Sequence, residues 1–465
     1  MDIVAQNATS GGDTVRRMNM KFEKPKNPNY AATVVKLDQF VKLDNCDNVQ
    51  AAIIFSNSVI VGKNCQAGDV GLFFPVECAL SHEFLSNNNL YRHSQFGNID
   101  ATKTGFFEQN RRIKAMRFRG NKSEGFWIPL SSLSYLGAID LKVGDVFDRL
   151  GDHEICEKYI IKTSNSGGPN AGRAKVAKLK DLIVDGQFRF HFDTEQLRRN
   201  LGMFKPDTII SISDKWHGTS AIFGNLLVQR QLNWIERMLV RLGINIQTHK
   251  YGPIYSSRTV VKNVDGLDRG MQHFYDVWGI VAKEIESRIP TGYTIYGEIV
   301  GYTPTGKAIQ AAPGGKPYSY GCKQGEHKLV VYRVTSTNFD GQTIELSWPQ
   351  MLEFCSKFGF ETVKQLYYGT VGDFIQTTLT KAFLPVDDRD FQTWFMRALE
   401  QAYVHDGMCP YCDNAVPAEG IVVRIDHLNE CQSYKLKNFL FVEGETKLLD
   451  QGVTNIEDEE SSVTE

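Results

Sequence analysis

A chain of 465 residues is too long for one ordinary hydrophobic core, so two or three domains are expected. Its 42% hydrophobic and 23% charged composition is that of a soluble globular protein, and a net charge of −2 gives no global push toward nucleic acid. No apolar run reaches membrane-spanning length, and Met1 to Ser10 has no signal-peptide core, so a cytoplasmic protein with no membrane partner is expected. Nine cysteines, scattered and odd in number, fit a reducing compartment better than a disulfide framework.

Residues 1–30 are polar, carry Gly11-Gly12 and Lys24-Pro25-Lys26-Asn27-Pro28, and read as a flexible arm. From Ala31 short apolar runs recur (33–37, 51–55, 59–61, 70–74) between Asn and Gly turn signals, which predicts a small β-barrel or sandwich over 31–162. Within it Arg111, Arg112, Lys114, Arg117 and Arg119 alternate with apolar residues. As a strand they would put cations on one face, either the charged exterior of a barrel or a track for a phosphate backbone. The Ser/Gly/Asn-rich text from Thr163 to Arg173 opens a linker over 163–180.

A second domain is expected over 181–449, followed by an acidic disordered tail, 450–465. Asp193 to Leu197 reads as a helix start that leads into an alternating strand, Thr208 to Ser213. Apolar spacing at Leu232, Ile235 and Leu239, with Trp234 and Met238, predicts an amphipathic helix packed on the domain surface. Helical text returns at 271–288 and dominates 348–404. Strands are expected at 293–300, 328–334, 419–425 and 433–437.

The chemistry centres on Asp214-Lys215-Trp216-His217-Gly218, at the end of the Thr208–Ser213 run. A lysine amine attacks phosphorus or carbonyl centres only when deprotonated, which burial or nearby cations favour. Gly218 lets the backbone approach a bulky substrate; a strand-end lysine is equally an ordinary surface charge. Glu298 and Glu419 lie on other strands, and each alone is commonly an edge charge. Lys435 and Lys437 are two apart on a strand, so both point one way and repel unless an anion such as a triphosphate lies between them. Tyr332 occupies a strand position where a base could stack. Gly301 to Ala308 nearly spells a phosphate-binding P-loop, but Ala308 lacks the required hydroxyl and Pro304 opposes the following helix. Cys409 and Cys412 have the spacing of half a zinc knuckle, with His405 as a third ligand and Cys431 or Cys322 as a fourth; the alternative is a tight turn.

Taken in order, Lys215-Trp216-His217-Gly218, Tyr296-Gly297-Glu298, Leu329 to Val334, Glu419 to Arg424 and Tyr434-Lys435-Leu436-Lys437 resemble motifs I, III, IIIa, IV and V of the covalent nucleotidyltransferase superfamily. Its members are the polynucleotide ligases and mRNA capping enzymes, and the surrounding text most resembles RNA ligases of the Deinococcus nick-sealing type. The resemblance implies an α+β fold, an N-terminal OB-like β-barrel plus a nucleotidyltransferase domain of two antiparallel sheets with flanking helices. It further implies that Lys215 attacks the α-phosphate of ATP to give lysyl-AMP, with Lys435 and Lys437 holding that phosphate. Asp214, Gly218, Arg258, Glu298 and Tyr332 would surround the nucleotide, and Glu419 with Glu298 would hold Mg²⁺ or Mn²⁺. The implied partner is RNA with 5′-phosphate and 3′-OH ends, as a nicked duplex or RNA/DNA hybrid, and the protein would be a monomer. Asp214 stands where many ligases carry glutamate, which leaves base contacts open. A capping-type guanylyltransferase and a non-catalytic RNA-binding module remain the alternatives.

Overall fold

The structure, a computed structural model, describes residues 23–160, 179–191, 194–268, 276–379, 388–404, 407–426 and 431–453. The chain divides into two compact units, Met1–Tyr159 and Ile160–Glu465. The arm before residue 23, most of the linker, His405 and the tail beyond residue 453 lie outside the described residues.

The first unit is built on a four-stranded antiparallel sheet in the order Val146–Phe147, Ala32–Lys36, Val70–Phe74, Phe126–Pro129. Its strands read as continuous apolar runs because both faces are covered. Val34, Leu72 and Phe74 enter one core with Phe84, Leu133 and Phe147. Val35, Phe73 and Trp127 enter another with Ala52, Ile54, Val59 and Val61 from a separate three-stranded sheet. The remaining strands form two-stranded pairs, and no closed ring of strands forms among the described residues.

The basic stretch is not one continuous strand. Only Ala115–Phe118 is extended, in a hairpin with Asn121–Glu124. Arg111 has a positive φ of 61° and donates to the Leu80 carbonyl at 3.0 Å. Arg112 bridges Ala79 and is buried, whereas Arg117 and Arg119 are exposed. Arg112 and Lys114 have the opposite parity to Arg117 and Arg119, and the strand covers only Ala115–Phe118, so no single cationic face forms along the stretch.

The second unit is mixed α+β with two larger sheets. One has five strands in the order Glu195–Gln196, Gln432–Lys437, Gly420–Ile425, Ile209–Lys215, Gln365–Thr370, antiparallel except for the first pair. Ile210, Ile212, Ile421, Val423, Tyr434 and Leu436 occupy one face. They pack on the helices Val371–Thr378 and Asp388–Tyr403 through Phe374, Ile375, Phe395 and Leu399. The residues between them, Ser211, Ser213, Lys215, Gly420, Lys435 and Lys437, therefore share the opposite face. The helix expected from Asp193 is absent: Glu195–Gln196 pairs in parallel with Tyr434 and Lys435, and two short 3₁₀ turns follow. Leu197, Leu201 and Phe204 in that segment are drawn into the helix-covered core, which overrides local helix propensity.

The other sheet has eight strands, with Thr219–Gln229 between His249–Ser256 and Tyr293–Gly301, and His327–Thr337 beyond. A buried ion cluster joins the two sheets. Glu345 accepts from Arg333 of the eight-stranded sheet at 2.9 Å and lies 3.4 Å from Arg424 of the five-stranded sheet. All three side chains are at most 9% exposed.

Candidate active site

Lys215 ends one sheet, and only Trp216, His217 and Gly218 separate it from the Thr219–Gln229 strand of the other. That turn is fixed from several sides. Trp216 stacks on Tyr320 with ring centroids 4.5 Å apart and planes 9° apart, and the His217 backbone N–H donates to the Tyr320 hydroxyl at 2.7 Å. Gln310 donates to the Gly218 carbonyl at 2.8 Å. The sequence assigns Gly218 to close substrate approach; the structure adds a second reason. A Cβ there would lie 2.4 Å from the Ile299 carbonyl oxygen of the neighbouring strand.

Strand register aligns Lys215 with Gly420, and Gly420 with Lys437. Lys435 lies one row back, opposite Val422, which pairs with Ser213. Gly420 has φ +143° and a Cβ on it would lie 2.1 Å from the Leu436 carbonyl oxygen, so no side chain fits. Lys215 and Lys437 thus flank a residue with no side chain, their backbones about 10 Å apart across two strand spacings. Two amines on one sheet face at that separation suit an anion such as a phosphate.

Glu419 immediately precedes Gly420 and is only 4% exposed. Its Oε1 is 2.7 Å from Lys215 Nζ. Its Oε2 has no hydrogen-bond donor among the described residues, and His217 Nδ1 lies 4.0 Å from it. Burial alone would push this carboxyl up, but Lys215, His217 and Lys437 outweigh it and hold it below the usual carboxylate value. A buried, ionised oxygen lacking a donor is a fitting ligand for a divalent cation.

His217 is wedged edge-on between Tyr318, at 5.1 Å, and Phe441, at 4.9 Å. Burial pushes its imidazole down to about 4 against the pull of Glu419, with Lys215 and Lys437 adding to the depression. It is therefore neutral at pH 7, and the two lysines supply the charge that holds Glu419 ionised. Lys437 also contacts Glu445 at 2.8 Å, on the helix Phe439–Asp450 that follows it. Asn438 caps that helix and donates its backbone N–H to the Glu419 carbonyl at 2.8 Å, tying the last strand to the carboxylate.

Asp214 has the opposite parity to Lys215 and meets the Tyr411 hydroxyl. Burial raises its carboxyl, opposed by that hydrogen bond and by Lys364. Glu298 faces Ser220 across the eight-stranded ladder, and the Ser220 hydroxyl donates to it at 3.3 Å. Tyr332 sits in a β-bulge: Tyr296 pairs with Arg333 and Gly297 with Val331, so Tyr332 is the extra residue. Bulges re-aim a side chain, and the Tyr332 hydroxyl lies 3.2 Å from His191 Nδ1. Arg258 is half-buried in the turn between His249–Ser256 and Val261–Val264.

Lys215, Glu419 and Lys437 are thus gathered at one end of the five-stranded sheet, while Glu298, Tyr332 and Arg258 belong to the eight-stranded one. His217, Gln310, Tyr320 and Tyr411 were missed as supports of the turn. Three of them come from irregular segments without periodicity, and His217 was visible only as a residue inside the lysine motif. Gly301 to Ala308 folds as a turn closed by the Tyr302–Ala308 bridge with no helix after it, which agrees with rejecting a P-loop.

Cys409 and Cys412 share a thiol hydrogen bond that draws Cys412 down to about 7 and pushes Cys409 well up. No third His, Cys, Asp or Glu joins them in a metal-binding group among the described residues, so zinc is not supported. The turn they frame instead presents Tyr411 to Asp214 and to the Trp216 ring.

The RNA ligase family model matches residues 211–437. Those bounds enclose every residue of the site from Lys215 to Lys437. The fold is similar to that of Naegleria gruberi RNA ligase, solved with AMP and Mn, at a TM-score of 0.50 and 12% identity over 90% of this chain and 98% of that one. A second structure of that ligase, with ATP and Mn, gives 0.50 and 12% over 90% and 99%. A search of curated protein sequences finds no match.

Proposed function

We propose that this chain is an ATP-dependent RNA ligase that joins 5′-phosphate and 3′-OH ends through lysyl-AMP and RNA-adenylate intermediates. The observation that carries this reading is the contact of Lys215 with Glu419, a buried carboxylate whose second oxygen lacks a donor among the described residues, with Lys437 paired to Gly420 on the next strand. The family match over 211–437 supports it, as does the fold shared with a ligase solved with ATP and Mn.

Lys215 Nζ attacks the α-phosphorus of ATP; the N–P bond forms, the bond to the bridging oxygen of pyrophosphate breaks, and the amine loses a proton. Glu419, already at 2.7 Å, is placed to take that proton or to orient the amine. Lys437 and Lys435 stabilise the charge that grows on the α-phosphate oxygens. Mg²⁺ or Mn²⁺, held by Glu419 with Glu298, would supply further charge neutralisation at the phosphate. Tyr332 stacks on the adenine, Arg258 and Glu298 contact the nucleotide sugar, and Asp214 fixes the strand end behind the nucleophile through Tyr411. The 5′-phosphate of RNA then takes AMP from Lys215, and a 3′-OH displaces AMP to form the phosphodiester. A nicked duplex is the substrate form we assign, with the first unit as an OB-like platform for it; both rest on the sequence resemblance.

The test is incubation with α-labelled ATP or GTP and a divalent metal, followed by denaturing electrophoresis. Label from ATP that Lys215→Ala removes is expected. Label from GTP alone would make the chain a capping-type enzyme, and no label with either nucleotide would favour a binding module.

A further inference from the structure

Between the Thr219–Gln229 and His249–Ser256 strands, the eight-stranded sheet carries a hairpin extension with a helix at its tip, Trp234–Arg241. The sequence predicts this helix packed on the domain surface; instead, none of its residues is buried. It is a locally specified helix. Asn233 and Glu236 form a capping box, and Arg230 pairs with Glu236 at 2.6 Å while its backbone N–H donates to the Thr248 carbonyl at 2.8 Å. The tip is therefore held to the strand ends rather than to the body of the unit.

Trp234, Met238 and Leu242 recur at four-residue spacing, so they stack on one face, flanked by Ile235. Trp234 is 75% exposed, Leu242 68% and Met238 48%. Isolated exposed apolar residues are ordinary, whereas a contiguous row on a capped helix marks a contact surface. The extension is also basic: Arg230 is paired with Glu236 and Lys250 with Asp265 at 2.6 Å, which leaves the charges of Arg237 and Arg241 in excess beside the apolar row, in a chain whose net charge is −2.

We propose that this helix docks on the surface of an anionic lipid bilayer. Its eight residues span about 12 Å, far short of a crossing, and no helix among the described residues is long and apolar enough to cross a membrane. An interfacial helix needs only an apolar face, cations beside it and an aromatic anchor at headgroup depth, which Trp234 provides. The expectation of no membrane partner came from hydropathy, which detects spans and not surface helices. A second copy fits less well, since a two-fold contact along this face brings Arg237 and Arg241 toward their own equivalents. RNA would meet the cations and offer a base to stack on Trp234, but would leave Met238 and Leu242 in water.

The test is co-sedimentation of the full-length protein with vesicles of phosphatidylcholine alone or mixed with phosphatidylglycerol. Partitioning about thirtyfold higher onto the anionic vesicles is expected from the two excess arginines, at about 1 kcal/mol each. Trp234→Ser with Leu242→Ser should abolish pelleting, and Arg237→Gln with Arg241→Gln should remove the anionic preference, with nucleotide labelling unchanged in both. Wild-type protein that stays in the supernatant with both vesicles overturns the proposal. So does a double serine variant that pellets like wild type, or a wild-type dimer that the serine substitutions dissociate.

Discussion

His217 gives the sharpest link between the site and a solution measurement. Its side chain is 14% exposed and packed between two aromatic rings, and burial holds its imidazole at about 4. In the unfolded chain the same group titrates near 6.5. The unfolded state therefore takes up a proton first, so stability is complete above about 6.5 and falls as pH drops through about 4. Between pH 7 and pH 5 this group alone removes about 2 kcal/mol, and about 3 kcal/mol over the whole window. His217→Gln cannot take up that proton and should lose correspondingly less over the same interval. The assay is urea unfolding of wild type and variant at pH 7 and pH 5, comparing the change in midpoint at constant m-value. The depressed Glu419 titrates in the same direction, but below its ordinary carboxylate range, so the difference between the proteins at pH 5 isolates the histidine. Equal losses in both, within about 0.5 kcal/mol, would refute the assignment of His217 as a buried neutral group.

Two further perturbations test the frame around the site. Glu345→Leu leaves Arg333 and Arg424 without their shared carboxylate and should cost about 3–5 kcal/mol, lowering the thermal midpoint by roughly 10 °C. Adding Arg333→Met should recover part of that loss, and a double variant less stable than the single would show that the cluster is not the cause. Gly218→Ala places a methyl 2.4 Å from the Ile299 carbonyl oxygen, which must displace the turn carrying Lys215. Labelling by ATP should fall about a hundredfold, whereas full labelling would mean the turn tolerates the shift.

The strands that carry the site were legible because their periodicity is simple. Lys435 and Lys437 share a face in the structure as their spacing requires, with Tyr434 and Leu436 buried between and beside them. The contact of Glu419 with Lys215 was not legible from residue types, because partners so distant in sequence meet only through the Lys215–Gly420 register. The Gln365–Thr370 strand was hidden inside text that reads as helical on either side, and only its pairing with Ile209–Lys215 makes it a strand. The basic stretch from Arg111 is extended only over Ala115–Phe118, with left-handed residues at Arg111 and Arg119 that alternation cannot reveal. The tip helix was identified by its period, but period alone does not say whether an apolar face has anything to cover it.

The order of strands in the five-stranded sheet has a consequence for synthesis. The Gly420–Ile425 and Gln432–Lys437 strands lie between Glu195–Gln196 and Ile209–Lys215, which emerge from the ribosome some two hundred residues earlier. A nascent chain thus exposes Lys215 beside an open strand edge, with neither Glu419 nor Lys437 yet present. Long-range pairings of this kind form late. The reactive amine acquires its carboxylate and its second lysine only once the chain has been made past Lys437, so a product interrupted before that point carries a nucleophile with no site around it.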